Sequence, residues 1–224
     1  PETVYAYSPG LAILPAQAGR LVATMDQGGP GVSDLSGIRK EGGRLWRGKI
    51  YTSDDRGNSW SHRSDMPVMH ARPFVAGQQL YVLGHDGDLG LMRSTDWGET
   101  WEGPFWLTQG EHWHQAPCNV HYANGRVYLV MERITDPDFN GWPVSVLAPV
   151  VMAGEETGDL TRRDSWTFSN ELTYREAIEQ AGKPNLMGVP FFARGATAPD
   201  SPGDKRFMAL PLSLIHISEP TRPY

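Results

Sequence analysis

The sequence predicts an all-β chain of repeated four-stranded antiparallel sheets, the blades of a partial propeller. Three observations carry this. The first is a repeated octapeptide: Ser53-Asp54-Asp55-Arg56-Gly57-Asn58-Ser59-Trp60 and Ser94-Thr95-Asp96-Trp97-Gly98-Glu99-Thr100-Trp101 both read S-x-D-x-G-x-[ST]-W. Their Trp residues stand 41 positions apart, the span of one four-stranded blade. The second is composition: 25 Gly, 18 Pro and 8 Trp among 224 residues supply many turns and many large aromatics. The third is Asn124-Gly125 between two β-rich runs, the strongest short hairpin signal.

The octapeptide has a local logic. Asp55 and Asp96 can cap backbone N–H groups of a tight turn that opens at Ser53 and Ser94. Gly57 and Gly98 can take the positive φ such a turn needs. Trp60 and Trp101 would each bury a large apolar face between neighbouring sheets. A worn third copy ends at Ser165-Trp166, with Thr161 and Arg163 where the Asp and Gly belong, so that turn must close differently.

The first blade is read over residues 11–14, a turn near Ala18-Gly19, 21–26, a loop to about Leu45, and 48–53. The second runs 71–76, the turn Gly77-Gln78, 80–85, 89–95, the octapeptide, and 100–107. The third runs 116–123, the Asn124-Gly125 turn, 126–133, a loop with Pro137, Gly141 and Pro143, and 144–153. Leu80-Tyr81-Val82-Leu83 and Val127-Tyr128-Leu129-Val130-Met131 are apolar throughout, as expected of strands buried on both faces. Pro9, Pro73 and Pro117 are read as opening the inner strands, where no ladder donor is needed. Residues 173–180 read as a short helix before a fourth blade.

Residues 1–211 thus hold about three blades and part of a fourth. Leu212-Ser213-Leu214-Ile215-His216-Ile217-Ser218-Glu219-Pro220-Thr221-Arg222 resembles a translated sequencing adapter, so 212–224 is read as a non-native tail. An open propeller leaves edges unpaired, and the chain is expected to be unstable or to aggregate alone.

The net charge of -6 and the lack of a Lys/Arg run argue against a nucleic-acid surface. No apolar run approaches membrane-spanning length. Cys118 is the single cysteine, so no internal disulfide forms.

Blade topology decides which residues share a cleft. The first strand of each blade starts on one face and the second returns to it, while the octapeptides lie on the opposite face. Asp26, His85 and Glu132 fall at equivalent ends of second strands, followed by Asp86 and Arg133. His70 and Arg72, and His112, Trp113, His114 and Gln115, fall at the starts of first strands. Ionisable residues where apolar strands reach an open face point to a binding cleft. Glycoside hydrolysis needs a carboxylic acid near the leaving oxygen plus a nucleophile or base, and Asp26, Asp86 and Glu132 are candidates. Arg72 and Arg133 could clamp an anionic sugar, and Trp113 could stack on a ring. A second reading is a metal site from His112, His114, His85 and Glu132. Hydrolysis itself calls for no cofactor.

The octapeptides resemble the Asp box of the sialidase (BNR-repeat) superfamily, over roughly residues 5–130. That resemblance implies a six-bladed propeller whose later blades complete the site, and a sialidase-like glycosidase acting on a terminal, often anionic, sugar. It implies a secreted or periplasmic setting. Asp26 matches the family's acid/base Asp. Ser8 stands where the Arg of the family's Arg-Ile-Pro motif belongs, and Arg72-Pro73 resembles that motif but sits one blade late. The departure at Ser8 leaves two alternatives: a relative acting on another sugar, uronic or sulfated, or a non-catalytic propeller binding glycans or proteins.

Overall fold

A computed structural model describes residues 3–14, 17–114, 120–140, 146–171 and 173. The expected strand at 116–119, the helix after Thr173, the fourth blade and the tail at 212–224 lie outside these. Two units divide the chain: Pro1–Arg133 with Pro149–Asn170, and Ile134–Ala148 with Glu171–Tyr224. In the second, Thr135 donates from its amide (2.8 Å) and its hydroxyl (2.9 Å) to the Val146 carbonyl.

The first unit holds the blades, and each sheet is antiparallel with strands in chain order. Sheet one comprises β1 (Tyr5–Leu14), β2 (Arg20–Gly28), β5 (Gly48–Ser53) and β6 (Ser61–Met66); a small hairpin, β3 (Lys40–Glu41) and β4 (Arg44–Leu45), interrupts the β2–β5 connection. Sheet two comprises β7 (Met69–Ala76), β8 (Gln79–Asp86), β9 (Asp88–Ser94) and β10 (Glu102–Trp106). Sheet three runs through β13 (Arg126–Ile134), β14 (Leu147–Glu155) and β15 (Trp166–Phe168), and both β11 (Trp113–His114) and β12 (His121–Ala123) pair with β13.

The core lies between sheets. Leu80, Val82 and Met92 of sheet two pack with Leu14, Val22 and Ile50 of sheet one. Tyr81, Leu83, Leu89 and Leu91 turn the other way and pack with Val127, Leu129 and Met131 of sheet three. The period-2 alternation of a strand therefore feeds two apolar layers, and the apolar run 80–83 is buried on both faces as expected. The run 127–131 differs: Tyr128 and Val130 are only half-buried, because among the described residues no sheet covers the outer face of sheet three.

The octapeptide turns close as their residues require. Asp96 Oδ1 accepts from the Thr100 amide (2.9 Å) and the Ser94 hydroxyl (2.8 Å), and Ser94 Oγ accepts from the Gly98 amide (2.8 Å). Asp55 repeats the pattern with Ser53 and Ser59, and these donors hold its carboxylate down at about 2. Gly57 and Gly98 have φ of 88° and 95°. The third turn closes through Asp159 instead, which accepts from the Thr161 amide and hydroxyl, while Trp166 Nε1 donates to the Leu160 carbonyl. Trp60 departs from expectation at 41% exposed. The second turn leans on sheet one, so Trp101 packs against its core, whereas no described sheet precedes the first. Arg20 staples that contact, gripping Asp54 with two bonds (2.6 and 2.9 Å) and Glu99 with a third (2.6 Å).

The prolines correct one expectation. Pro9 and Pro73 do not open strands; they lie inside β1 and β7, Pro9 within the β-bulge between Tyr7 and Gly10, and Pro73 paired with Val82 just past the bulge between Met69 and Arg72. Both strands are edges of their sheets, where a missing N–H is tolerated. Each bulge holds a non-glycine residue in the left-handed region, Ser8 at φ 51° and His70 at φ 50°.

Candidate functional site

The two bulges, Ser8 and His70, are structural equivalents, and a bulge re-aims the side chain it carries. The register is equivalent too: Tyr7 pairs with Asp26, Met69 with His85, and His114 with Glu132. Each second strand thus ends on an ionisable residue opposite the start of the first.

These ends converge. The His70 amide donates to Asp26 Oδ2 (2.7 Å), joining sheet two to sheet one. His70 Nδ1 lies 2.9 Å from His85 Nε2. The rings of His70, His85 and His114 have centroids within 4.9 to 5.4 Å of one another. His114 Nδ1 lies 2.8 Å from Glu132 Oε2. Asp26, His85 and Glu132 are buried; His70 and His114 are half-buried and form the surface of the cluster.

Burial sets the protonation. Loss of solvent raises the Asp26 carboxyl to about 6, against the opposing pull of the His70 amide and the Arg47 charge. Burial, then the neighbouring His114 and Arg47, lowers His70 to about 4. Burial followed by His70 and His114 drives His85 well below the ordinary imidazole value. Both rings are neutral near pH 7. Asp26 Oδ1 and His85 Nδ1 find no hydrogen-bond partner among the described residues. A proton on His85 Nδ1 would be a buried unsatisfied donor, so the favoured tautomer keeps it on Nε2, donating to His70 Nδ1. That assignment leaves the His70 proton on Nε2.

Other candidates are placed elsewhere. Trp113 is 4% exposed, packs in the core, and donates from Nε1 to Glu111 (2.8 Å), so it presents no face to a sugar. Arg133 binds the same Glu111 (2.5 Å) and lies over the Trp113 ring. Asp86 pairs with Arg44 (3.0 Å). Arg72 is half-buried opposite Leu83, beyond the bulge. His112 is exposed, and among the described residues no set of three or more His, Cys, Asp and Glu is arranged to hold a metal ion.

Sequence reasoning missed Tyr7, Arg44 and Arg47. Tyr7 packs edge-on to His70 (5.9 Å), and Arg47 precedes Gly48, the register partner of Asp26. The equivalence of Tyr7 with Met69 and His114 was available from the repeat; that of Arg47 was not, since it ends an irregular connection. Arg44 and Trp106, stacked at 4.0 Å, line two hollows of about 280 and 460 Å³, and no residue of the cluster lines either.

No family model matches the chain, and no curated protein does. Solved structures do. An α-L-arabinofuranosidase from Lactobacillus brevis aligns with 74% of this chain and 55% of its own, at 17% identity and a TM-score of 0.50. The fold is that of the propeller glycosidases. A Penicillium chrysogenum α-L-arabinanase complexed with arabinobiose matches 77% of this chain and 50% of its own, at 18% identity and a TM-score of 0.45. A Trypanosoma rangeli sialidase in complex with sialic acid matches 69% and 23%, at 16% and 0.44. The chain spans about half the length of the first of these propellers.

Proposed function

We propose that the protein is a glycoside hydrolase of the sialidase-like, Asp-box kind, acting on a terminal sugar at the Asp26–Glu132 cluster, with further blades completing the cleft. The observation that carries this is two buried carboxyl groups flanking a group of imidazoles that reaches the surface through His70 and His114. A glycosidase needs two carboxyl groups with different protonation. Asp26, raised to about 6, holds a proton in mildly acidic solution and is the acid. His114, backed by Glu132, orients and activates water. Entry of a sugar must open the site, because Asp26 is fully buried.

The test is turnover of a panel of chromogenic glycosides, including an α-L-arabinofuranoside, a sialoside and a glucuronide. Turnover that disappears in Asp26→Asn and Glu132→Gln supports the reading. Turnover unchanged in both variants sinks it. A second reading, a glycan-binding propeller without catalysis, is favoured by the full burial of Asp26 and by Ser8 at the family's Arg position. Binding without turnover of any substrate would select it.

A further inference from the structure

Sheets two and three each set a histidine against the end of a second strand, and the two settings differ. In sheet three His114 Nδ1 meets a carboxylate, Glu132 Oε2 at 2.8 Å, across the register pair of the same two residues. An ionised carboxylate only accepts, so Nδ1 carries the proton and Nε2 of a neutral His114 is an acceptor. In sheet two His70 Nδ1 meets another imidazole, His85 Nε2 at 2.9 Å. Either ring could supply the shared proton, and burial decides between them. His85 is 5% exposed and its Nδ1 has no partner among the described residues. A proton there would be a buried N–H with nothing to accept it, which is costlier than a bare lone pair. The shared proton therefore belongs to His85 Nε2, and His70 keeps its own proton on Nε2.

The ring that carries this second proton is held on several sides. The His70 amide donates to Asp26 Oδ2 (2.7 Å), which ties its backbone to sheet one, while its ring is tied to His85. Tyr7 lies edge-on to it at 5.9 Å and His114 at 4.9 Å. The bulge itself does not call for an imidazole, because the equivalent bulge of sheet one carries Ser8 at the same φ, 51° against 50°. His70 is half-buried and His85 is closed off, so a ligand of the cluster meets His70 and not His85. It meets His70 at Nε2, because His85 occupies Nδ1. Sugar hydroxyls both accept and donate, and the cluster offers one neutral group of each kind: a donor at His70 and an acceptor at His114.

We propose that His70 Nε2–H donates to a hydroxyl oxygen of the sugar bound at the Asp26–Glu132 cluster, and that His85 is a positioning residue that holds His70 in the tautomer this requires. This rests on the carbohydrate reading above. It adds one residue that touches the sugar and one that acts through it.

The experiment first places the protons, by nitrogen-15 NMR of the whole chain with labelled histidines near pH 7. The expected spectrum has a proton bonded to His85 Nε2, coupled across the hydrogen bond to His70 Nδ1, and another proton on His70 Nε2. His85→Glu gives sheet two the carboxylate that sheet three has, and should move the His70 proton to Nδ1. His85→Gln can still donate from its amide, and should leave that proton on Nε2. A residue that merely filled space would not shift the tautomer in one variant and keep it in the other. Calorimetry then measures binding of the methyl glycosides of L-arabinofuranose, glucuronic acid and sialic acid. Whichever binds should weaken about tenfold or more in His85→Glu and no more than about threefold in His85→Gln. Should His85→Glu fail to fold, the wild type decides: the coupling shows which ring owns the shared proton, and added glycoside must shift the resonance of His70 Nε2–H. A wild-type proton on His70 Nδ1, the same His70 tautomer in all three proteins, undiminished affinity in His85→Glu, or a His70 resonance indifferent to a bound glycoside overturns the proposal. The two readings fail differently. No binding of any glycoside, with the protons placed as stated, sinks the carbohydrate reading and the donor bond with it. A proton on His70 Nδ1 in a protein that binds sugar sinks the role of His85 alone.

Discussion

Replacing Asp26 by Asn should make the protein relatively more stable at high pH while abolishing any glycoside turnover. The sign follows from burial. The carboxyl is raised from 3.8 to about 6 in the fold, so the folded state holds this proton more tightly than the unfolded chain. The favourable contribution is complete below 3.8 and is lost as pH rises through about 6. At about 1.4 kcal/mol per tenfold, the loss is about 3 kcal/mol by pH 8. Asn cannot ionise and keeps an oxygen for the His70 amide, while its NH2 replaces the unpartnered Oδ1 at a cost that does not vary with pH. The stability difference between variant and wild type should therefore move by about 2 to 3 kcal/mol in the variant's favour between pH 4 and pH 8. His70 and His85 titrate in both proteins and cancel in that difference. Urea unfolding at intervals across that range measures it. A difference that stays flat with pH, or moves the other way, would refute the claim that a buried, ionisable Asp26 stores this energy.

Four further outcomes are expected. His70 and His85 are lowered, so their contribution is present above pH 6.5 and lost as pH falls towards 4; His70→Gln should flatten the decline of the melting temperature in that window. His70 sits at φ 50°, so His70→Gly should be more stable to urea than His70→Ala by about 1 kcal/mol, with both inactive on glycosides. Asp96→Ala removes the acceptor of three turn hydrogen bonds and should cost about 1 to 3 kcal/mol by urea midpoint, leaving any turnover per folded molecule unchanged. Gly28→Ala puts a methyl into the Tyr7 ring and should cost about 1 to 3 kcal/mol by urea midpoint.

The blades were legible because their signals are local. The octapeptides and Asn124-Gly125 fix turns through residues within a few positions, and Asn124 and Gly125 take the paired positive φ values of 53° and 71° that such a hairpin requires. The convergence of Asp26, His85 and Glu132 was legible as well, because equivalent strand ends repeat. The bulges were not. Pro9 announces an interruption and Pro73 follows one, but only the pairing of both flanks shows each strand continuing through its bulge. Trp113 was misjudged for a related reason: period 2 allots alternate residues to opposite faces, and which face is core depends on where β11 joins β13. Arg47 was out of reach because the β2–β5 connection, with its small hairpin, has no period to read.

The bond from the His70 amide to Asp26 crosses from one sheet to the next. Neither sheet contains the constellation by itself. Its geometry therefore reports how the two slabs are seated, and a slight change of tilt between them would pull the carboxylate from its donor before any strand frayed. The Arg20 staple to Asp54 and Glu99 holds the same two slabs about 20 Å away, at the other end of β2. Loosening that distant rivet should detune the site like a hinge worked loose at its far end, and a substrate profile would register the misalignment sooner than a melting curve.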